Sequence, residues 1–522
     1  MSIPSLPPFR ILPRPVVLAA FLVLGACRQK QGDIYHIPQE SGFVIGVNLQ
    51  NVALKSVDWK ELLTVTLPGG PGGRPSTGWA DRLSNSGINL LGTAYAFGKS
   101  PDSLDRSQLT LLLPLGDATR FEAFLREEGG SPEGEEGGLR FFSNDSLVVG
   151  WSSTTAFVAN RKESNTDALK ERLVALHRLS SDESLPENNE HFDGLRQKPF
   201  DALLWADLPK MRESVPAKPN VSLLQGNYLG GTVGFEKGEI VFDGSFYSDN
   251  KSLNAYPEFM DATADAQLIG RIPVPSPVGA LALKLKPDAV KRILRDSDQF
   301  TVVNQGVQML GMTGEEVLNM LSGDVVVALA ERPVAEVSPQ NVPAVYVSLG
   351  IRNPESLRKL INNFKNQEFL VDQGAYLSFS MIPDVSFIRQ QNQLVITTTP
   401  DLRQRVLSGG GPRLNDSTAA TLRNGALSAY LNYPAFVGKD TLPDVSTDSL
   451  PNNHLTSRLT SRYVEALKMN ARQSSATVAE VKLTVMMKNK RQNSLLSLAQ
   501  LSKELRLRAE TTAPPADSAA VQ

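Results

Sequence analysis

The sequence predicts an α+β protein made of two related halves, each a mostly antiparallel or mixed sheet covered by amphipathic helices. Three observations predict it. Many segments alternate apolar and polar residues, segments with one apolar face lie between them, and a set of matched blocks occurs twice in the same order. Alternating strands imply a sheet with a buried face, and amphipathic helices supply its cover.

The blocks pair as follows. Ile37-Pro38 leads into residues 43–49, where Phe43, Ile45, Val47 and Leu49 alternate, with a helix expected around 59–63. Ile272-Pro273 leads into 280–285, where Leu281, Leu283 and Leu285 alternate, and a helix follows over 287–294. Residues 86–92 precede a strand ending near Phe97, as 318–323 precede the strand 325–330. Strand 109–115 runs into Asp117 and an amphipathic stretch at 121–125. Its counterpart 344–349 runs into Asn353-Pro354 and a helix at 357–364. Asp117 and Asn353 are suited to cap these helices, and Pro354 to the first helical position, where a missing N–H costs nothing. Segments 139–151 and 156–160 match a hairpin-like pair at 375–388 and 393–398. Residues 203–209 match 428–434, and each half closes on alternating strands, near 232–247 and 477–487.

The expected organisation is a signal segment at 1–26, a tether at 27–33, a first half at 34–250 and a linker at 251–270. A second half at 271–490, a helix at 491–510 and a disordered tail at 511–522 complete it. The signal assignment rests on Arg10 and Arg14, then the unbroken apolar run 16–26, which is too short to span a bilayer. Leu24-Gly25-Ala26-Cys27 reads as a lipobox, with cleavage between Ala26 and Cys27 and lipid attachment at Cys27, the only cysteine. Each buried methylene of an acyl chain adds about 0.8 kcal/mol, so several chains hold a protein firmly on a membrane. Arg28, in place of an aspartate, favours the outer membrane by analogy with other diderm lipoproteins, facing the periplasm.

After the lipobox and tether, IPQESGFVIGVNLQNVALKS resembles the opening of an uncharacterised lipoprotein family of Bacteroidota whose members carry a domain of unknown function. SGINLLGTAYAFG and LSGDVVVALAE resemble its two central landmarks. The resemblance covers nearly all of the mature chain. It implies a cell-envelope lipoprotein with two related halves, and it carries over no catalytic residue.

Composition excludes several classes. Net charge is −2, with 21% charged and 41% hydrophobic residues, so no nucleic-acid footprint is present. The four histidines, His36, His177, His191 and His454, are far apart in sequence, and no zinc spacing occurs. Residues 189–194 resemble part of a calcium loop, but Phe200 stands where a bidentate Glu is needed. Ser356 and Lys359 have the S-x-x-K spacing of some acyl-enzyme hydrolases without the companion motifs. The glycines of 69–73 and 408–411 lack phosphate-loop spacing and read as turns. Glu133, Glu135 and Glu136, flanked by glycines, read as solvated, and Asp207 and Asn432 as turn or cap residues.

No catalytic residue, metal site or cofactor is therefore expected. The residues favour a non-enzymatic binding or scaffold module, held to the membrane by its lipid, with an envelope protein or glycan as partner. An envelope hydrolase with a dispersed carboxylate or serine site is one alternative. A carrier of an apolar ligand between the halves is another.

Overall fold

The structure, a computed structural model, describes residues 32–55, 85–99, 109–127, 132–161, 165–212, 226–248, 262–296, 299–308, 311–331, 344–409, 413–437, 452–475 and 477–512. Ala26 and Cys27, the helix expected at 59–63, the glycine run 69–73, residues 251–261 of the linker and the tail 513–522 lie outside them.

The described residues form twenty strands. In chain order the first ten are β1 (Phe43–Asn48), β2 (Thr93–Gly98), β3 (Thr110–Pro114), β4 (Gly134–Glu136), β5 (Leu139–Ser143), β6 (Leu147–Trp151), β7 (Thr155–Asn160), β8 (Ala202–Asp207), β9 (Asn227–Glu236) and β10 (Glu239–Ser248). Ten more follow: β11 (Gly279–Lys284), β12 (Leu321–Ala330), β13 (Ala344–Ile351), β14 (Leu370–Asp372), β15 (Leu377–Phe379), β16 (Ile382–Gln390), β17 (Gln393–Thr397), β18 (Leu427–Asn432), β19 (Val464–Ser475) and β20 (Val478–Met487).

Every pairing is antiparallel, and all twenty strands belong to one open sheet. One arm runs β4-β5-β6-β7-β3-β2-β1-β8-β9-β10. The other runs β20-β19-β18-β11-β12-β13-β17-β16-β15-β14. The arms join where β10 pairs β20, from Glu239 opposite Met486 to Tyr247 opposite Val478. A mostly antiparallel or mixed sheet in each half was the expectation, and the antiparallel alternative is the one observed, but the sheets are not separate. Instead one wholly antiparallel sheet is continuous, because β10 and β20 each leave an unpaired row of N–H and C=O groups that the other satisfies.

Local signals explain the helices that flank it. Asp117 Oδ1 accepts from the N–H groups of Thr119 and Arg120 at the start of helix Ala118–Glu127. Asn353 Oδ1 accepts from Glu355 and Ser356 at the start of helix Pro354–Asn366. Such caps contribute about 1 kcal/mol each. Helix Ala118–Glu127 buries Phe121 and Leu125 with Trp151 and Val149, and helix Pro354–Asn366 buries Leu357 and Ile361 with Leu394 and Leu377.

The opposite face carries the two main cores. The first arm's core contains Ile37, Phe157, Leu173, Phe192 and Leu203, packed by helices Thr166–His177 and Glu190–Arg196. The second arm's contains Ile272, Val326, Tyr346, Leu402 and Leu422, packed by helices Pro400–Ser408 and Asp416–Leu422. Each fully buried large side chain contributes roughly 1.5–3 kcal/mol of transfer free energy. The C-terminal helix, expected at 491–510, spans Ser494–Thr512 and places Leu495 and Ala499 against Val52 and Phe235.

Candidate functional site

Each arm carries a cleft on its helix-packed core face. The second arm's cleft, about 400 Å³, is lined by Arg271, Arg405, Arg413, Gln267, Gln390 and Tyr346, among others. Arg271 ends helix Ala266–Gly270, its N–H bonded to the carbonyls of Ile269 and Leu268. Its Nη2 donates to Gln391 Oε1 at 3.1 Å, in the β16–β17 turn. Arg405 lies on helix Pro400–Ser408. It pairs with Asp401 one turn earlier, Nη2 to Oδ2 at 2.7 Å, and Nη1 donates to the Pro273 carbonyl at 3.3 Å. Arg413 is exposed, just beyond the glycine that ends that helix, Gly409 at φ 62. On β13, burial pushes the Tyr346 hydroxyl up to about 12, so it stays protonated.

The first arm's cleft, about 290 Å³, is lined by Pro38, Glu40, Phe97, Lys99, Arg172 and Leu176, among others. Arg172 immediately precedes buried Leu173, as Arg405 precedes buried Val406, and the helix bearing each follows β7 or β17. Pro38 and Pro273, lining their respective clefts, each follow a fully buried isoleucine, Ile37 and Ile272. Arg172 is turned inward, where Nη2 donates to Thr110 Oγ1 at 2.7 Å, and burial lowers its pKa. Beside it the His36 and His177 rings lie 5.6 Å apart, with Phe157 edge-on to both. His36 Nδ1 bonds the Leu176 carbonyl at 3.0 Å, whereas the buried His177 Nδ1 has no hydrogen-bond partner. Burial, then the charge of Arg178, lowers the His177 pKa.

On the opposite face, the register aligns one apolar residue from each of nine consecutive strands. Val47, Ala202, Val233, Phe242, Leu483, Met469, Ala429, Leu281 and Val327 stand directly opposite one another in turn. All nine are half-buried. At the strand spacing of about 4.8 Å this row is roughly 38 Å long. A groove of about 250 Å³, lined by Leu281, Val327, Leu329, Leu431, Leu467 and Met469 among others, lies along it.

The residues singled out in the sequence fall as follows. The 189–194 segment is no ion loop: Asn189 caps helix Glu190–Arg196, Asp193 pairs with Arg196 at 2.5 Å, and His191 stacks on Tyr247. Phe200 belongs to the core. Ser356 sits in the first turn of its helix, and Lys359 pairs with Glu316 at 2.5 Å, so the two make no nucleophile–base pair. Glu133, Glu135 and Glu136 are all exposed, and Glu133 is in addition paired. Burial opposes its charge, yet the bond from Lys170 at 2.6 Å and another from Ser143 lower its pKa. Asp207 and Asn432 end β8 and β18 as caps, accepting from the N–H groups of Lys210 and Ala435. The helix Asn452–Tyr463 contains His454.

Sequence inspection missed the guanidinium cleft and the His36–His177 contact. One signal was present: matching Ile37-Pro38 to Ile272-Pro273 puts His36 opposite Arg271, and matching Leu169 and Leu173 to Leu402 and Val406 puts Arg172 opposite Arg405. Among the described residues no group of three or more His, Cys, Asp or Glu is placed to hold a metal, and no helix is long and apolar enough to cross a membrane.

No protein family and no curated protein matches the chain. Among solved structures, crystal forms IV and III of TP0453 align at 12% and 10% identity, both with TM-score 0.28, covering 43% of this chain and 83% of theirs. Crystal form I aligns at 8% identity and TM-score 0.27, covering 42% of this chain and 81% of its own. A likeness at that level carries no argument.

Proposed function

We propose that this chain is a duplicated α+β protein, lipid-anchored through Cys27 to the periplasmic face of the outer membrane, that works as a non-enzymatic binding module. The two arms are the duplicated units. Their matched strand orders and the matched Ile-Pro and helix-cap positions support that reading. The observation that carries the binding role is the apolar row from Val47 to Val327, which crosses the junction between the arms and stays half-buried. A contiguous apolar surface of this size on a water-soluble body marks an interaction site. Its occupant is an envelope protein, since an extended apolar face offers a glycan few polar partners.

The test uses cells bearing a photo-crosslinking residue at Phe242. A discrete envelope protein should be captured, and capture should fall when Leu483→Asp places a charge beside the crosslinker. Capture that persists despite Leu483→Asp removes the apolar face from the function. Cys27→Ala should separately abolish labelling by fatty acid and leave unprocessed precursor, and retained labelling overturns the anchor.

A second reading, a carrier of an apolar ligand, is favoured by the groove over Leu281, Leu431 and Met469. Recovery of a bound lipid with the purified protein, displaced by Met469→Trp, selects it over the protein partner.

A further inference from the structure

We propose that the second arm's cleft is an anion site, which takes a phosphate- or carboxylate-bearing ligand through Arg271, Arg405 and Arg413. The inference goes beyond the binding role assigned to the apolar face, and it stands whether or not Cys27 is acylated.

Among the described residues, three guanidinium groups line this cleft and no carboxylate does. They come from three separate places in the chain: a helix C-terminus, a mid-helix position, and the segment beyond Gly409. Scattered surface arginines usually have nearby acids. Here Asp401 holds Arg405 from one side, while the Pro273 carbonyl fixes another of its nitrogens. Arg271 is oriented by a neutral acceptor, Gln391, which leaves its charge uncompensated. Arg413 has no ion-pair partner among the described residues. Guanidinium is a planar fork of donors matched to oxyanions, and it stays charged when partly desolvated. Gln267 adds amide donor capacity at the rim, and the protonated Tyr346 hydroxyl lies among the lining groups.

The volume, about 400 Å³, falls in the range of small-ligand sites. The first arm provides an internal control. Its cleft holds Glu40 and Lys99, its walls are mainly apolar, and Arg172 is committed to Thr110. An anion therefore belongs to one arm only.

The shared chemistry is an oxyanion, and two sources could present it: a free small molecule or an anionic lipid headgroup. The mature chain, free in solution, is titrated calorimetrically with pyrophosphate and with citrate. A parallel sample is mixed with nanodiscs enriched in phosphatidylglycerol, with headgroup contact read by crosslinking. Saturable binding of pyrophosphate or citrate, weakened about tenfold or more by Arg271→Gln and again by Arg413→Gln, supports a free anion. Headgroup crosslinking lost in the double variant supports the lipid source. Arg172→Gln should change neither. Arg413 is exposed, so Arg413→Gln reads the site even if Arg271→Gln lowers stability. Absence of both signals, or signals indifferent to the two substitutions, overturns the proposal.

Discussion

The two arms share a strand order and differ in the side chains set around the helix that follows β7 or β17. In the first arm Phe157, His36 and His177 pack ring against ring, and Arg172 is spent on a threonine hydroxyl. In the second arm, Arg271, Arg405 and Arg413 line an open cleft. The comparison separates two kinds of information. Strand order follows from alternation and turn placement spread over many residues, so it tolerates change at any one of them. The character of the cleft depends on about six side chains and can be rewritten without touching the sheet.

The largest expected effect tests the sealed side. Phe157→Ala removes a fully buried ring and should cost about 3–5 kcal/mol. Val395→Ala, in β17, removes only two methyl groups and should cost roughly 2 kcal/mol. Urea unfolding of the two variants measures the difference, and equal losses would show that the arms are packed alike.

Next come the buried ion pairs. Asp201 accepts from Lys55 at 2.7 Å and from the Phe235 N–H at 2.6 Å. Asp324 accepts from Lys284 at 2.6 Å, from Ser322 at 2.7 Å and from the Asp265 N–H at 3.0 Å. Burial opposes the charge of Lys55, but its hydrogen bonds to Asp201 and Glu236 prevail and raise its pKa. Asp201→Asn and Asp324→Asn should each cost about 3 kcal/mol, the low end for broken buried pairs because both lysines are partly exposed. Thermal unfolding at neutral pH measures both, and a loss confined to one arm breaks the parallel.

The pH response should come from the first arm. The folded state holds the His177 pKa below its ordinary 6.5, so the unfolded chain takes up a proton there more readily. Stability is then full above pH 6.5 and declines as pH falls from 6.5 toward the folded value. His177→Leu should flatten that acid-side decline in melting temperature. An unchanged profile places the acid sensitivity elsewhere. The smallest effect is expected at Leu204, 38% exposed beside the apolar row. Leu204→Ser should shift stability by no more than about 0.5 kcal/mol, yet reduce partner capture at Phe242.

Much of the sheet was legible in the sequence, because alternation reports directly which residues face a core. Strand β13 shows this plainly, with Ala344, Tyr346, Ser348 and Gly350 buried and Val345, Val347 and Leu349 between them half-buried. The Asn353-Pro354 helix start was equally plain, since cap and fixed φ are local. Strand β12 was less so: it begins at Leu321, four residues earlier than alternation suggests. A bulge between Leu321 and Val325 breaks the period, with Gly323 at φ 93. What could not be read was distance. The β10–β20 junction joins residues 239–247 to 478–486, and no local pattern names a partner so remote. The guanidinium cleft escaped for the same reason, with its three arginines at 271, 405 and 413, each unremarkable alone.

The two outermost strands set a limit on growth. β4 and β14 are three residues long, and they end in Glu136 and Asp372. A long antiparallel sheet invites lateral addition of another molecule's edge, the route to fibres. Among the described residues each outermost strand is only a stub, and Glu135 and Glu136 on β4 are exposed acids that repel a second copy. Molecules crowded side by side on a surface can therefore collide at their margins without zipping into a ribbon.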